Sequence, residues 1–422
     1  MKALYSFSIR LLILAFNIAA LFNKKAKTLV QGRKNWKQRL QEQLNKLDGN
    51  NKIIWFHCSS LGEFEQGRPL ITKIKTQYPQ YKILLTFFSP SGYEAKKKFE
   101  FADIVFYLPF DTKANADAFL NIVKPELIFF IKYEFWLNFL FEIKKRNITC
   151  FLISAIFRKH QPFFKWYGNI FKEALDTFTV IFIQDELSVR LLNKINTSST
   201  KLLVGDTRID RVIEISNQTA ELPIVKKFCN TMTVIAGSTW HKDEEILIPI
   251  IARLKNQFSL KLIIAPHEPS EKNINHITAL LDKNKLTYLR YTHLSDMSQG
   301  SDVLIIDTIG ILSRLYRYGY LSYIGGGFDD GIHNTLEPAV YHLPIIFGTQ
   351  YHKFFEAVEL VKSKGAFSIE NGEKLFLCMN TLLTDNNVYV QSQQAIDYFI
   401  TSNKGAVDKT LEYLQPYLTK AL

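Results

Sequence analysis

The sequence predicts an α/β protein: two doubly wound domains facing a cleft, preceded by a membrane-anchor helix. Three observations lead there. Short apolar runs alternate with longer helical patterns, the rhythm of a parallel sheet covered on both faces. That rhythm stops over Asp206–Cys229 and then restarts, so there are two such sheets. The stretch from Leu4 to Phe22 is mostly apolar and precedes a cluster of lysines and arginines.

The N-terminal segment is interrupted by Ser6, Ser8, Arg10 and Asn17, yet approaches the ~20 residues a helix needs to cross a bilayer. Lys24, Lys25, Lys27, Arg33, Lys34, Lys37 and Arg39 follow it. Positive charge on that side holds a chain's body in the cytoplasm. Residues 1–22 are therefore expected to anchor the protein in the inner (cytoplasmic) membrane. No small-residue cleavage site precedes the charges, which argues against a cleaved signal peptide. The alternative is a helix lying in the interface, with Arg10 snorkelling to the headgroups.

Candidate strands in the first half are Lys52–Phe56, Ile83–Phe88, Ile104–Tyr107, Leu127–Ile131, Thr149–Ile153, Val180–Ile183 and Lys201–Val204. Asp206–Cys229 is mixed and polar, and reads as a linker. Thr233–Ala236, Lys261–Ala265, Leu286–Tyr291, Asp302–Ile306, Leu321–Ile324 and Pro344–Phe347 are the strands expected beyond it. From Asn387 the chain reads as helical, with breaks at Gly405 and Pro416.

The first strand runs into turn formers, Cys58, Ser59, Ser60 and Gly62, and then into a helical pattern from Glu63. Ligands of open α/β sheets bind beyond the carboxyl ends of the strands, and Glu63 stands at that address. A helix N-terminus favours negative charge, which makes Glu63 a candidate general base for a bound hydroxyl. The plainer alternative is that Glu63 and Glu65 only complement the helix dipole.

In the second half, Ala236-Gly-Ser-Thr-Trp-His241 follows a strand and precedes an acidic helix start. Ser238 and Thr239 are expected to cap that helix and to hold a phosphate there. Ala265-Pro-His-Glu-Pro269 ends another strand and makes His267 a candidate contact to a phosphate or a base. The glycines of Gly325-Gly-Gly-Phe-Asp-Asp-Gly-Ile-His-Asn-Thr-Leu-Glu-Pro338 allow close backbone approach to a ligand. Within it, Asn334 and Glu337 have capping-box spacing, and Glu337 is placed to accept from ribose hydroxyls. Neither GxxxxGK[ST] nor a clean GxGxxG opening the first sheet is present, so phosphoryl transfer from ATP is not expected.

Lysine and arginine exceed aspartate and glutamate by 12, a balance suited to nucleic acid, an anionic membrane or a phosphorylated substrate. The cysteines Cys58, Cys150, Cys229 and Cys378 are scattered without a CxxC pair, which argues against a metal or disulfide framework and for free thiols in a reducing compartment.

Taken in order, these motifs resemble those of the 3-deoxy-D-manno-octulosonic acid (Kdo) transferases of lipopolysaccharide synthesis, inverting GT-B glycosyltransferases with an N-terminal anchor. Ser60-Leu-Gly-Glu63 matches Ser-x-Gly-Glu, and Lys132-Tyr-Glu-Phe-Trp-Leu-Asn138 resembles Glu-x-Glu-Leu-Trp-Pro-Asn. Gly205-Asp-Thr-Arg-Ile-Asp210 resembles Gly-Asn-x-Lys-Phe-Asp. Ser238-Thr-Trp-His241, Pro266-His-Glu-Pro269, Asp307-Thr-Ile-Gly310 and Gly331-Ile-His-Asn-Thr-Leu-Glu-Pro338 continue the series. The departures are Lys132 for an acid, Leu137 for a proline, His267 for an arginine and Ile311 for a glutamate. Ser154 to Gln161 keeps little of the Asn-Ala-Arg-Leu-Ser pattern.

The resemblance implies Glu63 as catalytic base, Arg208 in the place of a transition-state lysine, and Glu134 as a second acid. It implies a CMP site made by Ser238, Pro266, His267, Ile309, Gly310, Ile311, Asn334, Thr335, Leu336 and Glu337. It divides the chain into an anchor (1–22), an acceptor-binding Rossmann-like domain (23–212) and a donor-binding one (213–422), whose last helix is able to return to the first. CMP-Kdo enters as a substrate, the lipid A precursor lipid IVA as acceptor, and the inner membrane as partner; no cofactor, metal or nucleic acid is implied. The sequence agrees on metal, offering no convincing ligand cluster for a divalent ion. Lys24 to Arg39, Lys96-Lys-Lys98 and Arg158-Lys-His160 are expected to hold the phosphorylated acceptor. The alternatives are a GT-B transferase using a UDP-sugar and a non-catalytic nucleotide binder at the membrane surface.

Overall fold

The computed structural model describes residues 1–47, 52–132, 135–217, 221–293 and 300–419. It divides into Met1–Arg211 with Lys404–Leu422, and Val212–Asn403. Among the described residues, each unit is built on a seven-stranded sheet whose paired strands run parallel.

In the first unit the strands are β1 (Lys52–Cys58), β2 (Tyr81–Phe87), β3 (Ile104–Tyr107), β4 (Leu127–Ile131), β5 (Thr149–Ala155), β6 (Val180–Ile183) and β7 (Thr200–Leu203), in the order β3-β2-β1-β4-β5-β6-β7. β1 is covered on both faces, so it reads as a nearly continuous apolar run rather than an alternating one. Trp55 joins Phe119, Phe130 and Phe139 on one face. Phe56 joins Phe64, Phe129 and Phe151 on the other. Phe56 stacks on Phe129 at 4.5 Å and Phe129 on Phe151 at 5.0 Å, so rings with a large apolar area fill the sheet faces.

The helix Ala406–Thr419 closes the second face, burying Val407, Leu411, Leu414 and Leu418. Asp210 accepts from the backbone N–H groups of Gly405 and Val407 at 2.6 and 2.7 Å, and Tyr81 donates to the Leu418 carbonyl at 3.0 Å. The break at Gly405 (φ 87°) is real. Pro416 does not end this helix and lies inside it; the lost bond to the Glu412 carbonyl is outweighed by the burial of Leu411, Leu414 and Leu418.

The stretch expected to be a linker instead carries two helices, Thr207–Ser216 and Pro223–Phe228. Ile209, Val212, Val225 and Phe228 are buried there, and that packing outweighs a polar composition.

The second unit contains β8 (Thr233–Thr239), β9 (Lys261–Pro266), β10 (Tyr288–Arg290), β11 (Val303–Ile305), β12 (Leu321–Ile324), β13 (Ile345–Phe347) and β14 (Ala366–Ser368), ordered β10-β11-β9-β8-β12-β13-β14. β14 escapes the sequence pattern because Ala366-Phe-Ser368 lacks the valines and isoleucines that mark the equally short β11 and β13.

At the N-terminus Lys2–Ala19 is one helix, long and apolar enough to cross a membrane by length and composition. One side of it is docked on the first unit. Lys2 pairs with Glu173 at 2.6 Å, Tyr5 donates to Asp111 at 2.6 Å, Ser6 donates to Asn138 at 3.2 Å, and Phe16 stacks on Phe110 at 6.1 Å. The other side exposes Leu4, Phe7, Leu11, Leu14 and Ile18.

Candidate active site

Strand order reverses between β1 and β4 in the first sheet and between β8 and β12 in the second. In open α/β sheets the loops leaving such strands make the ligand sites. Each unit therefore has one address for chemistry.

In the first unit the chain leaves β1 and enters the helix Leu61–Gln77 with Ser60 as extended N-cap. Glu63 lies in the first helical turn and is half-buried. The Ser60 hydroxyl donates to its carboxylate.

A buried network fixes the strand ends around it. Trp136, in the loop after β4, donates its indole N–H to His57 Nε2 at 3.0 Å. The ring proton of His57 therefore sits on Nδ1, which donates to Thr86 Oγ1 at 2.9 Å. Thr86 Oγ1 also accepts from Trp55 Nε1 at 2.8 Å and donates to the Phe56 carbonyl at 3.3 Å. The ends of β1, β2 and β4 are thus tied by one hydroxyl and one imidazole. Glu134 lies outside the described residues.

Arg208 lies in the first turn of the helix Thr207–Ser216, and its guanidinium pairs with Asp206 at 2.6 and 2.9 Å. The buried Thr207 hydroxyl donates to the Gln66 carbonyl at 2.6 Å and meets Ser154 Oγ at 2.8 Å. The helices carrying Glu63 and Arg208 are therefore fastened together at the carboxyl end of the first sheet.

The basic runs are not uniformly surface. Arg33 is buried, donating to the carbonyls of Leu108, Leu29 and Phe88 at 2.7, 2.9 and 2.8 Å, with the Phe88 and Phe110 rings against its guanidinium. Burial lowers its pKa to about 9. Lys96 pairs with Glu65 at 3.0 Å and Arg158 with Asp185 at 3.0 Å.

In the second unit, the end of β8 and the segments after β11 and β12 line a pocket of about 320 Å³, at the small end of the ~300–1,000 Å³ usual for small-molecule sites. Ser238, Gly310, Asn334 and Glu337 line it, as do Gly237, Ser313, Tyr316 and His333, which sequence reasoning missed. A Cβ on Gly237 would stand 2.0 Å from Tyr316 Oη, and one on Gly325 would stand 2.2 Å from the Ser238 carbonyl. Only glycine lets these loops approach so closely.

The other expected donor residues surround rather than line the pocket. His267 is exposed and stacks against both Trp240, at 4.8 Å, and His333, at 4.4 Å. Trp240 Nε1 donates to His333 Nε2 at 3.1 Å. Burial, with His267 nearby, lowers the His333 pKa to about 4 and keeps it neutral. Pro266 ends β9, Ile311 precedes the short helix Leu312–Leu315, and Ile309 is exposed. Thr335 and Leu336 are buried.

Two expected caps differ. The helix His241–Lys255 is capped at Trp240, whose N–H donates to Asp243 at 2.9 Å, while Thr239 donates to Glu244 at 2.9 Å. Asn334 is not an N-cap in a capping box: Thr335 precedes the helix Leu336–Ala339, and Asn334 accepts from the Leu336 N–H at 3.1 Å while donating to Glu337 at 3.2 Å.

A family model described as 3-deoxy-D-manno-octulosonic-acid transferase (kdotransferase) matches residues 34–211. A protein named 3-deoxy-D-manno-octulosonic acid transferase from Haemophilus influenzae is 28% identical over 386 residues, covering 87% of each chain. One of the same name from Chlamydia muridarum is 27% identical and covers 83% of each. The chain belongs to the Kdo transferase family.

As a Kdo transferase family member it is a glycosyltransferase. A bifunctional glycosyltransferase/methyltransferase of Fusobacterium nucleatum is 28% identical over 84% of this chain, which spans only 56% of that longer protein. Among solved structures, a UDP-GlcNAc 2-epimerase from Neisseria meningitidis aligns over 86% of this chain and all of that one, at TM-score 0.61 and 14% identity. A glycosyltransferase from Rickettsia africae aligns over 88% and 99%, at TM-score 0.54 and 14% identity. These likenesses show the fold class, two doubly wound α/β units of GT-B type. In this Kdo transferase family member, Trp136 and Asn138 of the shared motif have structural partners. Trp136 serves His57, and the Asn138 side chain donates to the Asp111 carbonyl at 2.5 Å.

Proposed function

We propose that the chain transfers Kdo from CMP-Kdo to the lipid A precursor lipid IVA, with inversion and with Glu63 as general base. The observation that carries this reading is the place of Glu63: half-buried, on the first turn of a helix, at the point where the first sheet reverses strand order. The Glu63 carboxylate takes the proton of the acceptor hydroxyl as its oxygen bonds to the anomeric carbon of Kdo. The bond from that carbon to the CMP phosphate breaks on the opposite face, and CMP leaves. The pocket rimmed by Ser238, Gly310, Asn334 and Glu337 suits the nucleotide half of the donor. Arg208 offsets negative charge on the departing phosphate, and Glu134 steadies the electron-poor sugar. The transfer step needs no metal.

The N-terminal helix supports membrane attachment of a particular kind. It touches the first unit from Lys2 to Phe16, about 20 Å along a helix axis. A helix docked over that length presents its outer apolar face to lipid from the side. We infer that it lies in the inner-membrane interface rather than crossing the bilayer alone.

Incubating the protein with CMP-Kdo and lipid IVA, and weighing the products, tests the reading. Glu63→Gln should lower turnover by roughly 10²–10⁴-fold while CMP still raises the melting temperature. Full activity in this variant removes Glu63 from the base role. Protection by UDP but not CMP overturns the donor.

A further inference from the structure

We propose that His241, Glu244 and His276 bind a divalent transition-metal ion of the zinc type, at a site outside the transfer chemistry. His241 and Glu244 lie one turn apart on the helix His241–Lys255, and His276 comes from Glu271–Lys283. One potential ligand atom from each lies within 4.8 Å of the others. Glu244 Oε2 and His276 Nε2 are 3.7 Å apart, close to the ~3.4 Å separating two ligand atoms around a tetrahedral ion bound at ~2.0–2.1 Å. The two imidazole rings are 4.1 Å apart.

The second observation is an unmet need. Glu244 is 1% exposed, and its Oε1 accepts from Thr239. Its Oε2 is buried with no hydrogen-bond partner, and so is His276 Nε2 facing it. Two buried polar atoms left unsatisfied side by side are costly. A bound cation accepts lone pairs from both at once. His241 Nε2 stands 3.2 Å from Asn273 Oδ1. That is the outer-shell partner which orients a ligating imidazole and leaves Nδ1 for the metal. Two imidazoles and a carboxylate suit zinc, with water in the fourth position. His241 is exposed, which gives the ion a way in.

Such an ion clamps two helices that follow the segments carrying Ser238, at the end of β8, and His267, just after β9. Its role is to hold those segments, not to touch substrate. The full-length protein in detergent, stripped with chelator and titrated with ZnCl₂, should retain about one ion per chain after dialysis. Its melting temperature should rise by roughly 5–10 °C at excess zinc. Cobalt(II) should give the intense visible bands of a tetrahedral site. H241A, at an exposed position that leaves the core intact, and H276A should each weaken zinc binding by roughly tenfold or more. H352A, an exposed histidine elsewhere, should not. The proposal is overturned if wild type retains no zinc, or if H241A and H276A both bind it as wild type does.

Discussion

Thr86 does more at the residue scale than its size suggests. One hydroxyl accepts from the buried indole of Trp55 and the buried imidazole of His57. Thr86→Val preserves shape but leaves both donors facing a methyl group. At about 1–3 kcal/mol per unsatisfied buried group, the first unit should lose about 2–4 kcal/mol, read as a lower urea midpoint with unchanged slope. His333 gives a second prediction. Its pKa in the folded chain is about 4 against 6.5 in an exposed histidine. Between those values the unfolded chain takes up a proton that the folded chain refuses. Stability from this group is therefore complete above pH 6.5 and lost as pH falls toward 4. Thermal unfolding across that window should show a steeper loss in wild type than in His333→Asn.

Asp111 shows how one carboxylate organises whole elements. It accepts from the backbone N–H groups of Asn138 and Phe139 at 3.1 and 2.9 Å, capping the helix Leu137–Lys145 from a distant loop. It also accepts from Tyr5, which docks the N-terminal helix. Burial raises its pKa to about 6 despite these bonds. Its effect on stability runs opposite to that of His333, falling as pH rises from about 3.8 to 6, and cancels in the comparison of wild type with His333→Asn. Asp111→Ala removes a cap and a dock together. The expected cost is about 2–4 kcal/mol, with faster amide exchange over Lys2–Ala19 while the core of the second unit is unchanged. Protection of that helix as strong as in wild type would show that Asp111 does not hold it.

For the whole molecule, the proposed attachment to a membrane would draw on an apolar helix face and a formal charge of +12. Leu4, Phe7, Leu11 and Leu14 are exposed together on one helix, and each is worth ~1.5–3 kcal/mol when buried in an apolar phase. Changing all four to serine should weaken binding to neutral phosphatidylcholine vesicles by tenfold or more. Residual binding to anionic vesicles should fall as salt rises from 0.01 to 0.15 M, over which the Debye length shrinks from ~30 to ~8 Å. Unchanged binding to neutral vesicles would assign the interaction to charge alone.

Much of this was legible along the chain. The two parallel sheets were, because strands buried on both faces are written as continuous apolar runs, and Leu127–Ile131 and Val180–Ile183 fall at the expected bounds. The Gly-rich loop after β12 was, because positive or crowded backbone demands glycine. Other features were not. Arg33 belongs to a run that reads as surface charge, yet it is sealed under two phenylalanines. Trp240 and His333 were within the motifs, but only their stacking and hydrogen bond bring them to the pocket rim. His276 is a lone histidine in its helix until folding sets it against Glu244.

By itself, then, the order of residues determined the fold class, the apolar N-terminal helix and the placement of Glu63 on a first helical turn. Each of these rests on local periodicity or on neighbours a few positions apart. Tertiary structure alone decided which side of the N-terminal helix is left bare, which arginine is interior, that Ala406–Thr419 packs on the first sheet, and which histidines meet. Those outcomes depend on contacts between residues far apart in the chain, and the free energy of such contacts leaves no period in the sequence to read.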